Sequence, residues 1–525
     1  MQRHPMTHPD FAPLSPAEET LADACAGSGL ATLGDGAFPA EATPDTTIRA
    51  AFLAHLLTTT PLPPGGLTLT GARIDGPLVL REVTLSAGLT LAQCHLAGPV
   101  HLFGARLRGL ILTGCHLTGL NADHAIFGGP VYLRGGTSIR GEISLAGTRI
   151  TGDLQICGAD LQAEDRDALF APSLTVEGSV YLGNYPYSET ETELTSDGAI
   201  FLASAEIGHD LFITRCAVAP HRDPARDTLF RPSEEHGPGI ALSLARARMG
   251  GILYLRDNQI ASGIVNLAGA HVRRLRDEPA GPGASYPIRL DGFTYDDFSR
   301  HAETGVASRL DWLDRRPADT PFTAQPYEQL ARVLTHMGHR SDARTVRMRK
   351  EAILRREDRA MRAEAQGRRG LTWHASWLGD AVMRLSVGYG YRPARALFLA
   401  VLLVGFGGLY YAAVWRAGDM TPNAAPILIS ADWIAATRDH PGNPAAFWSR
   451  PGQAGQDWET FNGFAYAADL AVPLISLGQE DAWAPSTSRS ALGWHGWYLR
   501  WFIKAAGWII TALGAAAVTG LVRQD

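Results

Sequence analysis

Residues 66 to 272 repeat themselves about every eleven residues, and no other feature constrains the fold as tightly. The clearest copies read GLTLTGARID, GPLVLREVTLS, AGLTLAQCHLA, GPVHLFGARLR and GLILTGCHLTG. One aligned column holds Leu69, Leu80, Leu91, Leu102 and Leu112, and a second holds Ile74, Leu85, Leu96, Leu107 and Leu117. Between them runs a column of small side chains: Ala72, Val83, Cys94, Ala105 and Cys115. The apolar–x–apolar rhythm predicts short strands with one face buried. Gly66, Gly76, Gly104, Gly109, Gly114 and Gly119 fall at or near the corners, where the backbone needs positive φ or close approach. A single unit cannot bury its own aliphatic columns, whereas stacked units bury them as one ladder. Two units per coil predict a parallel β-helix of about seven coils, roughly 35 Å long at about 4.8 Å per coil.

Later copies place Leu145 and Ile150, Ile156 and Leu161, Leu202 and Ile207, Ile213 and Val218, Leu244 and Met249, Leu255 and Ile260, then Leu267 and Val272 in the two main columns. Insertions interrupt them at about 162–172, 184–198 and 219–238. The second, NYPYSETETELTSDG, is polar and acidic. Insertions on a solenoid form loops on one face, often the binding face, so 184–198 is the expected place for a partner.

The flanks read as helical. SPAEETLADAC has a Ser N-cap with Glu three residues on, and TTIRAAFLAHLL is amphipathic. Residues 1–65 are therefore expected to cap the first coil. After Val272 the repeat fades, and 273–370 reads as a linker followed by a basic helix–turn–helix. That pair resembles a single tetratricopeptide-like unit, with Tyr327, Leu330, Leu334 and Met337 on one face, and its expected job is packing on the solenoid end. Its basic arm leads into an amphipathic segment, 371–392. Arg355, Arg356, Arg359, Arg362, Arg368, Arg369, Trp373 and Trp377 are the expected contacts with membrane lipids.

Residues 393–525 read as a two-span membrane domain. Ala396–Trp415 is an uncharged stretch long enough to cross a bilayer core, with Tyr410, Tyr411 and Trp415 as an interfacial belt. Ala505–Val522 is the second span, rich in Gly and Ala. The arginine-crowded flank before the first span predicts a cytoplasmic solenoid and C-terminus, in the cell membrane, with loop 416–497 facing outward. Two spans with an apolar stretch between them, FAYAADLAVPLISLGQ at 464–479, also permit a channel-like reading in which that stretch is re-entrant. VGYGY at 387–391 is similar to a potassium-channel filter, but it precedes the first span instead of lying between the two.

Net charge is −6 and charged residues make up 19%, so no nucleic-acid partner is expected. The five cysteines lie mostly in or beside the small-residue column, which predicts core packing. The N-terminus lacks the apolar core of a secretory signal. No GxGxxG, GxSxG or phosphate-binding loop occurs in the required context, and His336 and His339 alone do not make a metal site. No catalytic, cofactor or metal residue is predicted.

The GARI, GARL and GADL rhythm resembles the pentapeptide-repeat right-handed β-helices. The wider pattern G-x-L-x-L-x-G-A-x-I-x-G, followed by a basic helical region and a membrane hairpin, is similar to a group of actinobacterial proteins described as membrane-associated oxidoreductases. The resemblance covers nearly the whole chain and implies a right-handed coil and an oxidoreductase activity. The residues themselves predict a membrane-anchored scaffold or protein-interaction module with protein partners and possible homo-oligomers; the oxidoreductase and the two-span channel are the alternatives.

Overall fold

In the computed structural model the aliphatic columns point inward and stack into a parallel β-solenoid of about ten turns. The structure describes residues 9–163, 167–220, 239–260, 262–281, 283, 285–318, 320–365, 370–474 and 476–519. These form two units, Met1–Val346 and Arg347–Asp525. Four ladders of short strands make up the solenoid wall. Two of them merge into one 16-stranded sheet where Arg248–Arg256 and His271–Asp277 run continuously around a corner. Most strand N–H groups donate to a carbonyl on an adjacent turn, as a parallel stack requires.

One turn holds two eleven-residue units, so the column aligned in sequence divides in space. Leu69, Leu91 and Leu112 stack on one ladder. Leu80 and Leu102 belong to another, the ladder built from Leu78–Val79 and Val100–His101. All five are at most 1% exposed. The small column fits the corners. There the Cys94 and Cys115 thiols and the Thr137 hydroxyl donate to the carbonyls of Leu69, Leu91 and Leu112 on the preceding turn, at 3.4, 3.3 and 3.3 Å. Gly104 and Gly114 take φ of +65° and +60°. At the matching corners one turn away stand His124 and Gln93, at +58° and +52°, so a glycine is favoured at these corners without being obligatory.

The solenoid extends past 66–272 at both ends. Leu30–Thr32 and Thr47–Arg49 pair with Leu67–Thr70 and Arg73–Asp75, so strands begin inside the expected helical cap. Ile288–Arg289 and Thr294–Phe298 continue the ladders beyond Val272. About ten turns replace the expected seven, a stack of about 48 Å at about 4.8 Å per turn. The outer turns escape the eleven-residue pattern because long connections split their strands, while the pairing persists.

Helices close both ends. Pro16–Ala26 starts at Ser15 with a full capping box to Glu18. The buried Glu18 carboxylate then grips Arg49, at 2.7 Å from Nε and 2.6 Å from a terminal guanidinium nitrogen. Ala50–Thr59 buries Phe52, Leu53 and Leu56. At the other end, Arg309 on Val306–Asp314 is fully buried and makes a paired contact with Asp277, at 2.8 and 2.6 Å. The side-chain amides of Gln325 and Gln329, on Gln325–His336, donate to the carbonyls of Phe293 and Tyr295 at 3.0 and 2.5 Å. They thereby cover the open edge of the last strand. The first helix of the expected helix–turn–helix thus packs on the solenoid end.

The second unit contains two helices long and apolar enough to cross a membrane, Ala394–Arg416 with 23 residues and Ala491–Val518 with 28. The second begins well before Ala505 because Ser490 caps it, accepting from the Leu492 and Gly493 amides. Segment 416–497 is folded. It holds a two-stranded antiparallel sheet, Met420–Pro422 with Trp483–Pro485, around a core containing Trp433, Trp448, Tyr466 and Trp483. The expected aromatic belt is turned inward. Tyr411 is buried and donates to the Gly496 carbonyl at 2.9 Å, and Trp415 stacks on Phe461 at 4.8 Å. A short helix, Gly463–Ala471, packs against both long helices.

Candidate binding cleft

The outward side of the Leu69–Leu91–Leu112 ladder changes character along the stack. In register, its outward positions read Thr68, Thr90, Ile111, Tyr132, Gln155, Tyr181, Phe212, Tyr254 and Arg276. Strand spacing sets ring spacing, so consecutive aromatics stack face to face. Tyr181 and Phe212 lie 4.8 Å apart at 13°, and Phe212 and Tyr254 4.2 Å apart at 8°. The Arg276 guanidinium ends the series, 5.5 Å from the Tyr254 ring centre. The acidic insertion folds back over this face. Its Tyr185 meets Tyr181 edge-on at 5.0 Å, which leaves Tyr187 73% exposed.

Between that insertion and the residues Glu278, Gly281 and Tyr286 lies a cleft of about 890 Å³. Tyr187, Glu191 and Glu193 line one wall and Tyr286 the other, with Arg256 and Tyr254 on the floor. The charges are organised from a corner. Arg215, at φ +56°, projects outward and clamps Glu191 and Glu193, each at 2.5 Å. The hydrogen bond that Arg215 donates to Glu193 pushes the guanidinium pKa up further. Buried Asn258 accepts from the Cys216 amide at 3.0 Å and donates to the Ile213 carbonyl at 2.8 Å, so the floor is stiff. Burial, with nearby Asp210, raises the Tyr254 phenol, and burial with Asp277 raises Tyr286. Both stay neutral donors and ring faces at neutral pH.

This arrangement suits binding: planar polar groups, exposed ring faces and both signs of charge around one cavity. Strand ladders alone would give the rod flat faces, and the insertion is what adds a cleft to one of them. The sequence did mark the acidic insertion, but not Tyr254, Arg276 or Tyr286. The available signal was the outward residue of each L-x-L strand, which turns aromatic only near the end of the stack.

The thiols offer little reactivity. All five are buried. Burial pushes Cys25 up to about 11 and Cys157 to about 12, and raises Cys216. Among the described residues, no group of three or more His, Cys, Asp or Glu side chains could hold a metal ion.

The expected lipid-contact residues separate into two sets. Arg359 and Arg355 turn toward Asp380, at 3.1 and 3.9 Å, and Arg355 also lies 5.0 Å over the Tyr389 ring. Arg359 thereby joins helix Arg340–Ala365 to helix Leu371–Ser386, with Arg355 lying beside that contact. Arg356 and Arg362 are exposed, and Trp373 is half-buried. Trp377 shares one exposed helix face with Leu378, Val382 and Leu385. Arg368 and Arg369 lie outside the described residues. The VGYGY stretch is a tight turn before the first long helix, with Gly388, Tyr389 and Gly390 at φ of 54°, 55° and 85°. Its Tyr389 hydroxyl donates to Asp380 at 2.9 Å, so this stretch organises the junction.

No family model matches the chain, and no curated protein or solved structure matches it either.

Proposed function

We propose that the chain is a membrane-anchored scaffold whose solenoid binds a protein partner in the cleft beside the acidic insertion. The observation that carries this reading is the cleft itself, walled by Tyr187, Glu191 and Glu193 over the stacked Phe212–Tyr254 floor. Aromatic and arginine side chains around a concavity are the usual anchors of protein recognition. The two long apolar helices supply the anchor. The exposed face of Trp377, Leu378, Val382 and Leu385, with Arg356 and Arg362, supplies contact with anionic lipid at the interface. The arginine-rich flank favours a cytoplasmic solenoid in the cell membrane; an alkaline phosphatase fusion at about residue 450 that stayed inactive would overturn that orientation.

The test is site-specific photocrosslinking of the full chain in membranes. A crosslinker at Tyr187 should yield an adduct that disappears with Arg276→Ala, while one at Thr90, on the same ladder but far from the cleft, should yield none. Equal capture from both positions removes the cleft from the proposal. The oxidoreductase activity implied by resemblance needs a redox group. Among the described residues, the cleft walls are strands and loops without a helix N-terminus to receive a pyrophosphate, so the cleft offers no cradle of that kind for a dinucleotide. Flavin or nicotinamide absorbance in the purified protein would restore that alternative.

A further inference from the structure

Three helices and the VGYGY turn meet where the first long helix begins. Helix Arg340–Ala365 brings Arg355 and Arg359, helix Leu371–Ser386 brings Asp380 and Arg384, the turn brings Tyr389, and helix Ala394–Arg416 opens with Arg395. The Tyr389 hydroxyl and the Arg359 guanidinium both turn to the Asp380 carboxylate, at 2.9 and 3.1 Å. Burial and Asp380 push the Tyr389 phenol up to about 12, against the opposing pull of Arg355 and Arg384, so both cations lie near its hydroxyl. Arg395 reaches the same junction from the next helix, its guanidinium donating to the Arg384 carbonyl at 3.4 Å.

The charges at this junction do not balance. Its carboxylate, Asp380, is taken by Arg359. Arg355 stands 3.9 Å from Asp380, too far for a hydrogen bond, and its Nε is buried without an acceptor. Arg384 is exposed and Arg395 half-buried, and neither makes an ion pair among the described residues. Guanidiniums gathered around one occupied carboxylate leave a positive site, and their planar donors suit the oxygens of a phosphate.

Beside these cations the surface turns apolar at once. Leu385 follows Arg384 and is 67% exposed, while Leu397 and Phe398 follow Arg395 and are 70% and 63% exposed. Arg395 also directly precedes the uncharged stretch Ala396–Trp415, which places it at headgroup level wherever that span begins. A cationic cluster bordering an apolar helix face matches the two ends of a phospholipid. A free phosphate ion would use the first half of this surface and leave the second bare.

Resting on the membrane-anchored reading above, we infer that this junction binds one anionic phospholipid, its phosphate held by Arg384 and Arg395 and an acyl chain lying on Leu397 and Phe398. Arg355 adds to the positive field. The same guanidiniums set the headgroup: they repel the ammonium that choline or ethanolamine would place beside the phosphate, and they accept an uncharged glycerol there. The exposed face around Trp377, with Arg356 and Arg362, touches the membrane surface as a whole, whereas this site fixes a single lipid. Because its phosphate bridges Leu371–Ser386 and Ala394–Arg416, the bound lipid also ties these two helices together.

The test measures lipid binding to the full chain in neutral detergent, where no charged surface contributes. Intact-complex mass spectrometry compares phosphatidylglycerol with phosphatidylcholine at equal concentration. One phosphatidylglycerol should bind at least about ten-fold more tightly than phosphatidylcholine, and it should raise the melting temperature. Arg384→Gln with Arg395→Gln should erase both the preference and the melting shift. Arg356→Gln with Arg362→Gln should leave the preference within about two-fold. Neither Arg384 nor Arg395 has an internal ion pair, so without lipid their double variant should melt close to the native chain. Equal binding of the two lipids by the native chain, or a preference that survives the change at Arg384 and Arg395, overturns the site. Displacement of the lipid by inorganic phosphate also overturns it, because the apolar half then contributes nothing. A chain that alkaline carbonate strips from liposomes refutes the anchor and this site with it, whereas a chain that resists carbonate and shows no lipid preference loses this site alone.

Discussion

Leu91→Ala tests the stacking that holds the solenoid together. Leu91 is 1% exposed and lies in register between Leu69 below and Leu112 above. The strands that carry these residues are tied to each other by backbone hydrogen bonds on both sides, so the neighbours cannot close around the missing atoms. Leu→Ala in a buried site costs about 2–5 kcal/mol, more where the cavity stays open; here the expected cost is about 3–4 kcal/mol. At about 1.4 kcal/mol per factor of ten, that raises the opening constant of the local turns about 140- to 700-fold. Hydrogen exchange on the full chain reads this directly. Amides in Leu67–Thr70, Leu89–Ala92 and Leu110–Thr113 should exchange faster by that factor, and amides in His271–Asp277 by much less, because each turn of a solenoid contacts only its neighbours. Thr90→Ala, on the same strand but facing out, should change exchange less than five-fold. Equal acceleration by both substitutions, or uniform acceleration along the whole stack, would refute the reasoning.

Two more predictions concern the ends. Burial alone would raise the Glu18 carboxyl, but hydrogen bonds from the Arg49 side chain and from the Arg49 and Ser15 amides outweigh it and hold its pKa below the usual value. A depressed folded-state pKa gives stability that is present above the ordinary carboxylate range and lost as pH falls through the lowered value. Protection of Ala50–Thr59 should therefore drop on acidification, and Glu18→Gln should show low protection with no such step; a step that survives in the variant assigns it to another group. At the other end, Asp277→Ala leaves the fully buried Arg309 unpaired, which should cost about 3–5 kcal/mol. The double change Asp277→Leu with Arg309→Met should cost less than the single one in denaturant melts of the solenoid; an equal or greater cost shows that the pair adds net stability.

What could be read from the chain depended on whether a residue's role repeats. Leu69, Leu80, Leu91, Leu102 and Leu112 stand out because each faces the same apolar interior, and the demand recurs with every half-turn. Two long uncharged stretches stand out because hydrocarbon imposes composition directly. The outer turns were hidden because Leu30–Thr32 and Ile288–Arg289 pair by backbone alone, at irregular spacing. Arg355 and Arg359 were expected to face lipid, and only the fold brings them to Asp380.

The sequence by itself determined that this chain stacks and that it carries two helices able to cross a membrane, since both follow from local periodicity and composition. Tertiary structure decided which leucines share a ladder, where the acidic insertion makes a cleft with residues some seventy to a hundred positions away, and how Gly463–Ala471 fits between the long helices. Those outcomes depend on pairs of surfaces meeting, and a single side chain read in sequence order carries no record of the surface it will meet.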